Sequence, residues 1–200
     1  MKELLVSWIP FDITPTMIQE SLNRNNGRLI VSGVLQRANA KNQNGRVYPK
    51  PVLMREAEKY FNTFVTERRA LGELDHPESS VVNLSNVSHN ILEMRWEGDD
   101  LVGKVEVLGT PSGNILKELF KSGIKLGISS RGLGSVKESA QDQTVVQDDF
   151  ELIAFDFVSN PSTHGAFLSP ITESKKARLL NTKYETVNHI ITEILVSMGK

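Results

Sequence analysis

"LGISSRGLG", residues 126 to 134, is the stretch on which the reading of this chain turns. An apolar strand, "IKLGI", ends in two serines, Ser129 and Ser130, and "RGLG" follows as a glycine-rich bend. Two readings stand side by side. The stretch is a Ser/Gly turn between strands, or it is a nucleophile held at the end of a rigid element. On the second reading glycine lets backbone approach a substrate, and the N–H groups of the bend form an oxyanion site.

A hydroxyl nucleophile needs a base. "ALGELDHPES", residues 70 to 79, supplies a candidate, His76, with Glu73 and Asp75 close by and Pro77 after it. Three polar residues at the edge of an apolar segment are costly unless they are paired, exposed or used. One reading is a turn before the proline; another is a general base. A third is a metal site on Glu73, Asp75 and His76. On a strand, however, Glu73 and Asp75 share a face and His76 points away, and neither an HExxH helix nor a cysteine accompanies them. His89 reads as structural within a strand, His164 lies in a turn-like loop, and His189 lies off the apolar stripe of a C-terminal helix.

Composition sets the frame for these candidates. The 200 residues are 39% hydrophobic, enough for one substantial core. Charge is balanced, 23 basic against 24 acidic residues, so no broad basic field points to nucleic acid or a membrane surface. With no cysteine, thiolate metal sites, disulfides and cysteine nucleophiles are excluded. "MKELLVSWIPFD" has too short an apolar run for a signal peptide, and no stretch reaches the ~18 residues of a membrane span. A soluble, intracellular, globular protein is expected.

Along the chain, "MKELLVSWI" reads as a strand. Thr14-Pro15 opens a helix that ends by Gly27, and Leu29, Val31, Gly33 and Leu35 alternate as a second strand. A polar loop with an Asn-Gly turn leads to the clearest helix of this half, with Leu53, Ala57, Tyr60, Phe61 and Phe64 on one stripe. "LGEL" reads as a strand. "HNILEMRW" and "LVGKVEVLG" form a hairpin, and Thr110-Pro111 starts a helix with Ile115, Leu116, Leu119 and Phe120 on one side. "TVVQ" and "DFELIAFDFVS" are further strands. Beyond them the chain is turn-rich and then basic. Val187, Ile190, Ile191, Ile194, Leu195 and Met198 make a final helical stripe. A boundary near residue 171 divides a main domain, 1–170, from this C-terminal segment, 171–200.

Four stretches, "NAKNQNGRVYPKPVLMREAEKY", "ALGELDHPE", "MRWEGDDLVGKVEVL" and "GISSRGLGSV", resemble in that order the prohead core proteases of tailed bacteriophages. The resemblance spans residues 28 to 165 and fades toward both ends. It implies a fold like that of the herpesvirus assembly proteases, an α+β fold with a mostly antiparallel β-barrel wrapped by helices. It implies a serine endopeptidase that matures the prohead. Expected substrates are scaffold and core proteins, the major capsid protein and the protease itself. Cleavage is expected after Glu, with Leu or Ile two residues earlier. No cofactor and no metal are expected, nor nucleic acid or membrane partners. Self-association into a homo-oligomer is expected, acting in the host cytoplasm inside the assembling prohead.

Carried over, the family's histidine falls on His76 and its nucleophile on Ser129, with Ser130 as a supporting neighbour. Asp156, in "LIAFDFVSNP", matches an acidic position of the family and is the expected third member. Glu73 and Glu151 are the next choices, and His89 comes after them. Arg131 is expected either to meet a substrate glutamate with its guanidinium fork or, with Gly132, to lend backbone N–H groups to the oxyanion. "ITES", residues 171 to 174, fits the expected target and predicts self-cleavage between Glu173 and Ser174. The rival from another class is a non-catalytic capsid assembly or scaffold protein with the same fold.

Overall fold

The computed structural model describes residues 3–10, 14–77, 79–139, 143–159 and 169–170. The residues of the expectations for Glu173, Ser174, His164, His189 and a C-terminal helix lie outside them.

Strand β1 (Glu3–Pro10) is followed by helix α1 (Pro15–Arg24), whose Thr14 Oγ1 accepts from Met17 N and caps the first turn. Strand β2 (Leu29–Arg37) buries Leu29, Val31 and Leu35, the alternating residues of its sequence. After the Asn44-Gly45 turn come the short β3 (Arg46–Val47) and helix α2 (Lys50–Tyr60). Helix α2 runs into a π-helical turn, Phe61–Val65. Leu53, Ala57 and Tyr60 are buried as the stripe predicts, but Phe61 is exposed, because the wider turn shifts the periodicity at that point.

Strand β4 (Leu71–Glu73) leads through the His76 segment and a 3₁₀ turn, Leu84–Asn86, to the hairpin β5 (Val87–Glu97) and β6 (Asp100–Val107). Helix α3 (Pro111–Lys121) is capped by Thr110, whose Oγ1 accepts from Gly113 N at 3.0 Å. Leu116 and Phe120 are buried, whereas Ile115 stands out into solvent. Strands β7 (Gly127–Gly134), β8 (Val136–Ser139), β9 (Gln143–Val146), β10 (Glu151–Val158) and β11 (Ser169–Pro170) complete the described elements.

The strands form three sheets with the orders β1-β7-β10, β11-β2-β6-β5-β4 and β3-β9-β8. All pairings are antiparallel except β3 with β9. The fold is therefore α+β and mostly antiparallel. A closed ring of paired strands, the expected barrel, is not formed among the described residues. The two larger sheets meet where β4 ends: Leu74 bridges Phe157 and Asp75 N donates to Phe157 O at 2.7 Å.

One expectation is overturned within β7. "RGLG" is not a bend; the strand continues straight through Gly134, with β1 on one edge and β10 on the other. Glycine serves packing here. A Cβ on Gly132 would lie 2.4 Å from the Phe150 ring and 2.6 Å from Glu151 O. Behind this sheet lies an aromatic core, with Tyr60 edge-on to Phe155 at 5.7 Å and Phe120 edge-on to Phe157 at 5.5 Å.

Candidate active site

The β7–β10 register sets Ser129 directly opposite Asp156 and Ser130 opposite Phe155. Cross-strand partners in an antiparallel pair project to the same face, and successive residues to opposite faces. Ser129, Arg131 and Asp156 therefore share one face. Ser130 turns to the other, where its Oγ accepts from buried Gln36 Nε2 at 2.7 Å. The two serines are separated by strand alternation alone.

His76 reaches the same face by a different route. Alternation from Glu73 would have turned it away. The chain breaks that alternation at Asp75, which adopts a left-handed conformation (φ 68°) and takes His76 N onto its own Oδ1 at 2.9 Å. The imidazole then lies over β10, with Nδ1 2.9 Å from Asp156 Oδ2. An ionised carboxylate only accepts, so Nδ1 carries the proton and Nε2 keeps its lone pair. Nε2 is buried and makes no hydrogen bond.

Asp156 is fully buried. Its Oδ1 accepts from Glu73 N at 3.0 Å and from Arg131 Nη2 at 3.3 Å. Arg131 Nε stands 2.8 Å from Oδ2 as an ion contact, without its N–H aimed at that oxygen. Arg131 Nη2 also donates to Glu73 Oε1 at 2.9 Å, and Nη1 to Ser79 O at 2.6 Å. Glu73 Oε1 accepts further from Asn83 N at 3.1 Å. Arg131 and Glu73 are both 0% exposed, so the guanidinium is spent on the protein's own carboxylates and is not presented to a substrate glutamate. The expected oxyanion role of the Arg131 and Gly132 backbone meets a similar obstacle: both lie in a strand flanked on each edge, where N–H groups point to neighbouring strands.

The remaining sequence candidates separate cleanly. Glu151 is exposed at the start of β10. His89 is fully buried on the other side of β10, where Nε2–H donates to Phe155 O at 2.8 Å and Nδ1 accepts from Ser88 Oγ at 2.8 Å. Burial pushes its pKa down to about 4. Gly72 makes room for that ring: a Cβ there would stand 2.3 Å from His89 Nε2 and 2.0 Å from Phe155 O. Glu73 and Asp75 do not converge as metal ligands would, and among the described residues no group of three His, Asp or Glu side chains is arranged to hold a metal ion. The contacts through Ser79 O and Asn83 N carried no signal in the sequence, because any residue offers those backbone groups.

A histidine held through Nδ1 by a buried carboxylate, with a strand serine on the same face, is compatible in class with a hydrolase that uses a hydroxyl nucleophile. The comparisons with known proteins are specific. Residues 14–176 match the family described as "Prohead core protein serine protease". The "Prohead core protein protease" of Enterobacteria phage T4 is 34% identical over 154 residues, covering 74% of this chain and 73% of that one. The solved structure of the bacteriophage T4 capsid assembly protease, gp21, superposes with a TM-score of 0.68 at 28% identity, covering 78% of this chain and 98% of that one. This chain belongs to the family of prohead core protein serine proteases. Its activity is that of a phage prohead maturation protease.

Proposed function

We propose that this protease is a serine endopeptidase with Ser129 as nucleophile, His76 as general base and Asp156 as the group that orients it. The observation that carries the reading is the 2.9 Å contact between His76 Nδ1 and Asp156 Oδ2, which leaves Nε2 as the basic atom on the face that Ser129 occupies. In the reaction Nε2 takes the Ser129 Oγ proton while Oγ bonds to the scissile carbonyl carbon. The imidazolium then gives that proton to the departing amine as the C–N bond breaks. Water, deprotonated by the same Nε2, hydrolyses the acyl-enzyme and restores Ser129. Asp156 holds the Nδ1–H tautomer throughout and stabilises the imidazolium.

The substrates proposed are phage scaffold or core proteins, the major capsid protein and the chain itself, met in the host inside the assembling prohead. The names of the T4 relatives support this setting. Cleavage after Glu, with Leu or Ile two residues before, and self-association into a homo-oligomer are proposed from the family resemblance. The same resemblance supports a finer account of the fold, in which the two larger sheets are walls of one herpesvirus protease-like barrel joined at the Leu74–Phe157 bridge. Residues 1–170 would be the protease domain and 171–200 a segment removed by self-cleavage between Glu173 and Ser174. Among the described residues no helix is long and apolar enough to cross a membrane.

Intact mass over time, wild type beside Ser129→Ala, tests the reading. Loss of the piece from Ser174 to Lys200 in the wild type alone is the expected result. Cleavage elsewhere, again only in the wild type, moves the site and keeps the protease. Equal cleavage of both proteins removes Ser129 from its role. Ser129 is fully buried, so a substrate reaches it only after its cover moves, and the incubation is followed to completion.

A further inference from the structure

Among the described residues Arg131 is the largest fully buried side chain, and the cluster around it holds two carboxylates. A lone ion pair of this kind is weak evidence for stability, because taking the charges out of water offsets their attraction. The cluster has a further geometric property. Arg131 lies against both Asp156 oxygens, Nη2 donating to Oδ1 and Nε in ion contact with Oδ2, and together with the Glu73 N–H on Oδ1 this restrains the carboxylate. Oδ2 is left aimed at His76 Nδ1. Arg131 is itself fixed by Glu73 Oε1 through Nη2 and by Ser79 O through Nη1. Glu73 closes the set from both ends. Its backbone N–H binds Asp156 Oδ1, and its carboxylate holds Asn83 N as well as Arg131.

We propose that Glu73 and Arg131 are positioning residues, which together lock the Asp156 carboxylate in the orientation that holds His76, and clasp the segment of Ser79 and Asn83 to the site. The inference rests on the catalytic reading above. Charge strengthens it. With His76 neutral, Glu73, Asp156 and Arg131 sum to one negative charge in a fully buried cluster. Transfer of the Ser129 proton to His76 brings that sum to zero, so the cluster favours the imidazolium formed during reaction. Neither residue needs to touch substrate.

The test uses the full chain with ¹⁵N-labelled histidine, as wild type, Glu73→Gln and Arg131→Lys. Glu73→Gln keeps shape and an acceptor oxygen while removing charge. Arg131→Lys keeps charge while removing the fork. Two readouts are taken: the Nδ1–H resonance of His76, and the rate at which a small fluorophosphonate labels Ser129, located by mass and set against Ser129→Ala. The expected result is an Nδ1–H signal that exchanges rapidly or vanishes in both variants. Labelling should slow on the order of 10–100-fold, the usual cost of a misplaced catalytic group, with melting curves still cooperative. If one variant fails to fold, the other carries the test. A His76 signal and labelling rate unchanged in the folded variants would overturn the inference and leave Ser129 catalysis standing. A wild type labelled no faster than Ser129→Ala would overturn the catalytic reading itself, and the positioning role with it.

Discussion

On one face of the β7–β10 pair stand Ser129, Arg131 and Asp156; on the other stand Ile128, Ser130, Phe155 and Phe157. Both faces are buried, yet they obey different rules. On the first, Arg131 and Asp156 are held by charged and backbone groups, and the arrangement is worth more as geometry than as stability. On the second, Phe155 and Phe157 pack edge-on to Tyr60, Phe120 and His89, and the few polar atoms are capped locally. Each histidine near β10 follows the rule of its face. His76 is bound to a charge through one nitrogen and keeps the other open; His89 is bound through both nitrogens to neutral partners. A strand pair can carry chemistry on one side because alternation leaves the other side free to anchor it.

The strongest way to break this comparison is Ser129→Ala. It should reduce peptide cleavage by about 10⁶-fold, the scale seen when a triad nucleophile is removed. The circular dichroism spectrum should remain that of the wild type and melting should stay cooperative. A loss of folding in place of activity would mean that the charged face is structural after all.

Asp156→Asn comes next. The amide no longer fixes the Nδ1–H tautomer, and a fall of about 10⁴-fold in kcat is expected. It also leaves Arg131 with one carboxylate where it had two, so a drop in melting temperature should accompany the kinetic effect. Steady-state kinetics beside a thermal melt separates the two. A change in KM alone would assign Asp156 to substrate binding.

His89 sharpens the contrast through pH. Its folded pKa of about 4 lies below the ordinary 6.5, chiefly because burial disfavours the charged ring. The unfolded chain therefore binds a proton first as pH falls. The stabilisation by neutral His89 is complete above pH 6.5 and is lost progressively down to about pH 4, on the order of 3 kcal/mol in all. Urea melts at pH 7 and pH 4.5 should show a smaller loss for His89→Gln than for the wild type. Equal losses would mean that other groups carry the acid sensitivity.

Much of this was legible in the sequence, for reasons that also explain the rest. The Thr-Pro helix starts at Thr14 and Thr110 are local signals, and both caps form. Asp156 stood out as one charge in an apolar strand, which implied a buried partner. The partner's identity depended on the β7–β10 register, a long-range pairing that no local pattern encodes. Arg131 was misdirected toward substrate because a side chain's target is set by what packs around it. Strands β3 and β8, of 2 and 4 residues, are too short to show a period. The bend expected at "RGLG" failed because glycine marks both turns and close packing, and only the neighbour Phe150 tells which.

Ser130→Ala is the smallest effect and the finest test of the two faces. Ser130 Oγ accepts from Gln36 Nε2, while Gln36 Oε1 accepts from Arg37 N at 2.9 Å. Removing the hydroxyl leaves one amide N–H of Gln36 unpaired in a buried site, which costs about 1–3 kcal/mol of stability. Activity should change only severalfold, since the hydroxyl points away from His76. A cycle with Gln36→Leu separates the two origins of the loss. If the cost comes from the stranded amide, Ser130→Ala should cost less in the Gln36→Leu background than in the wild type, because no amide donor is left to strand. The Arg37 N–H that loses its acceptor does so in both Gln36→Leu proteins and cancels in the cycle. If Ser130→Ala abolished cleavage with its fold intact, while Ser129→Ala did not, the assignment of faces would be reversed. The nucleophile would then lie among the aromatic residues of the core side.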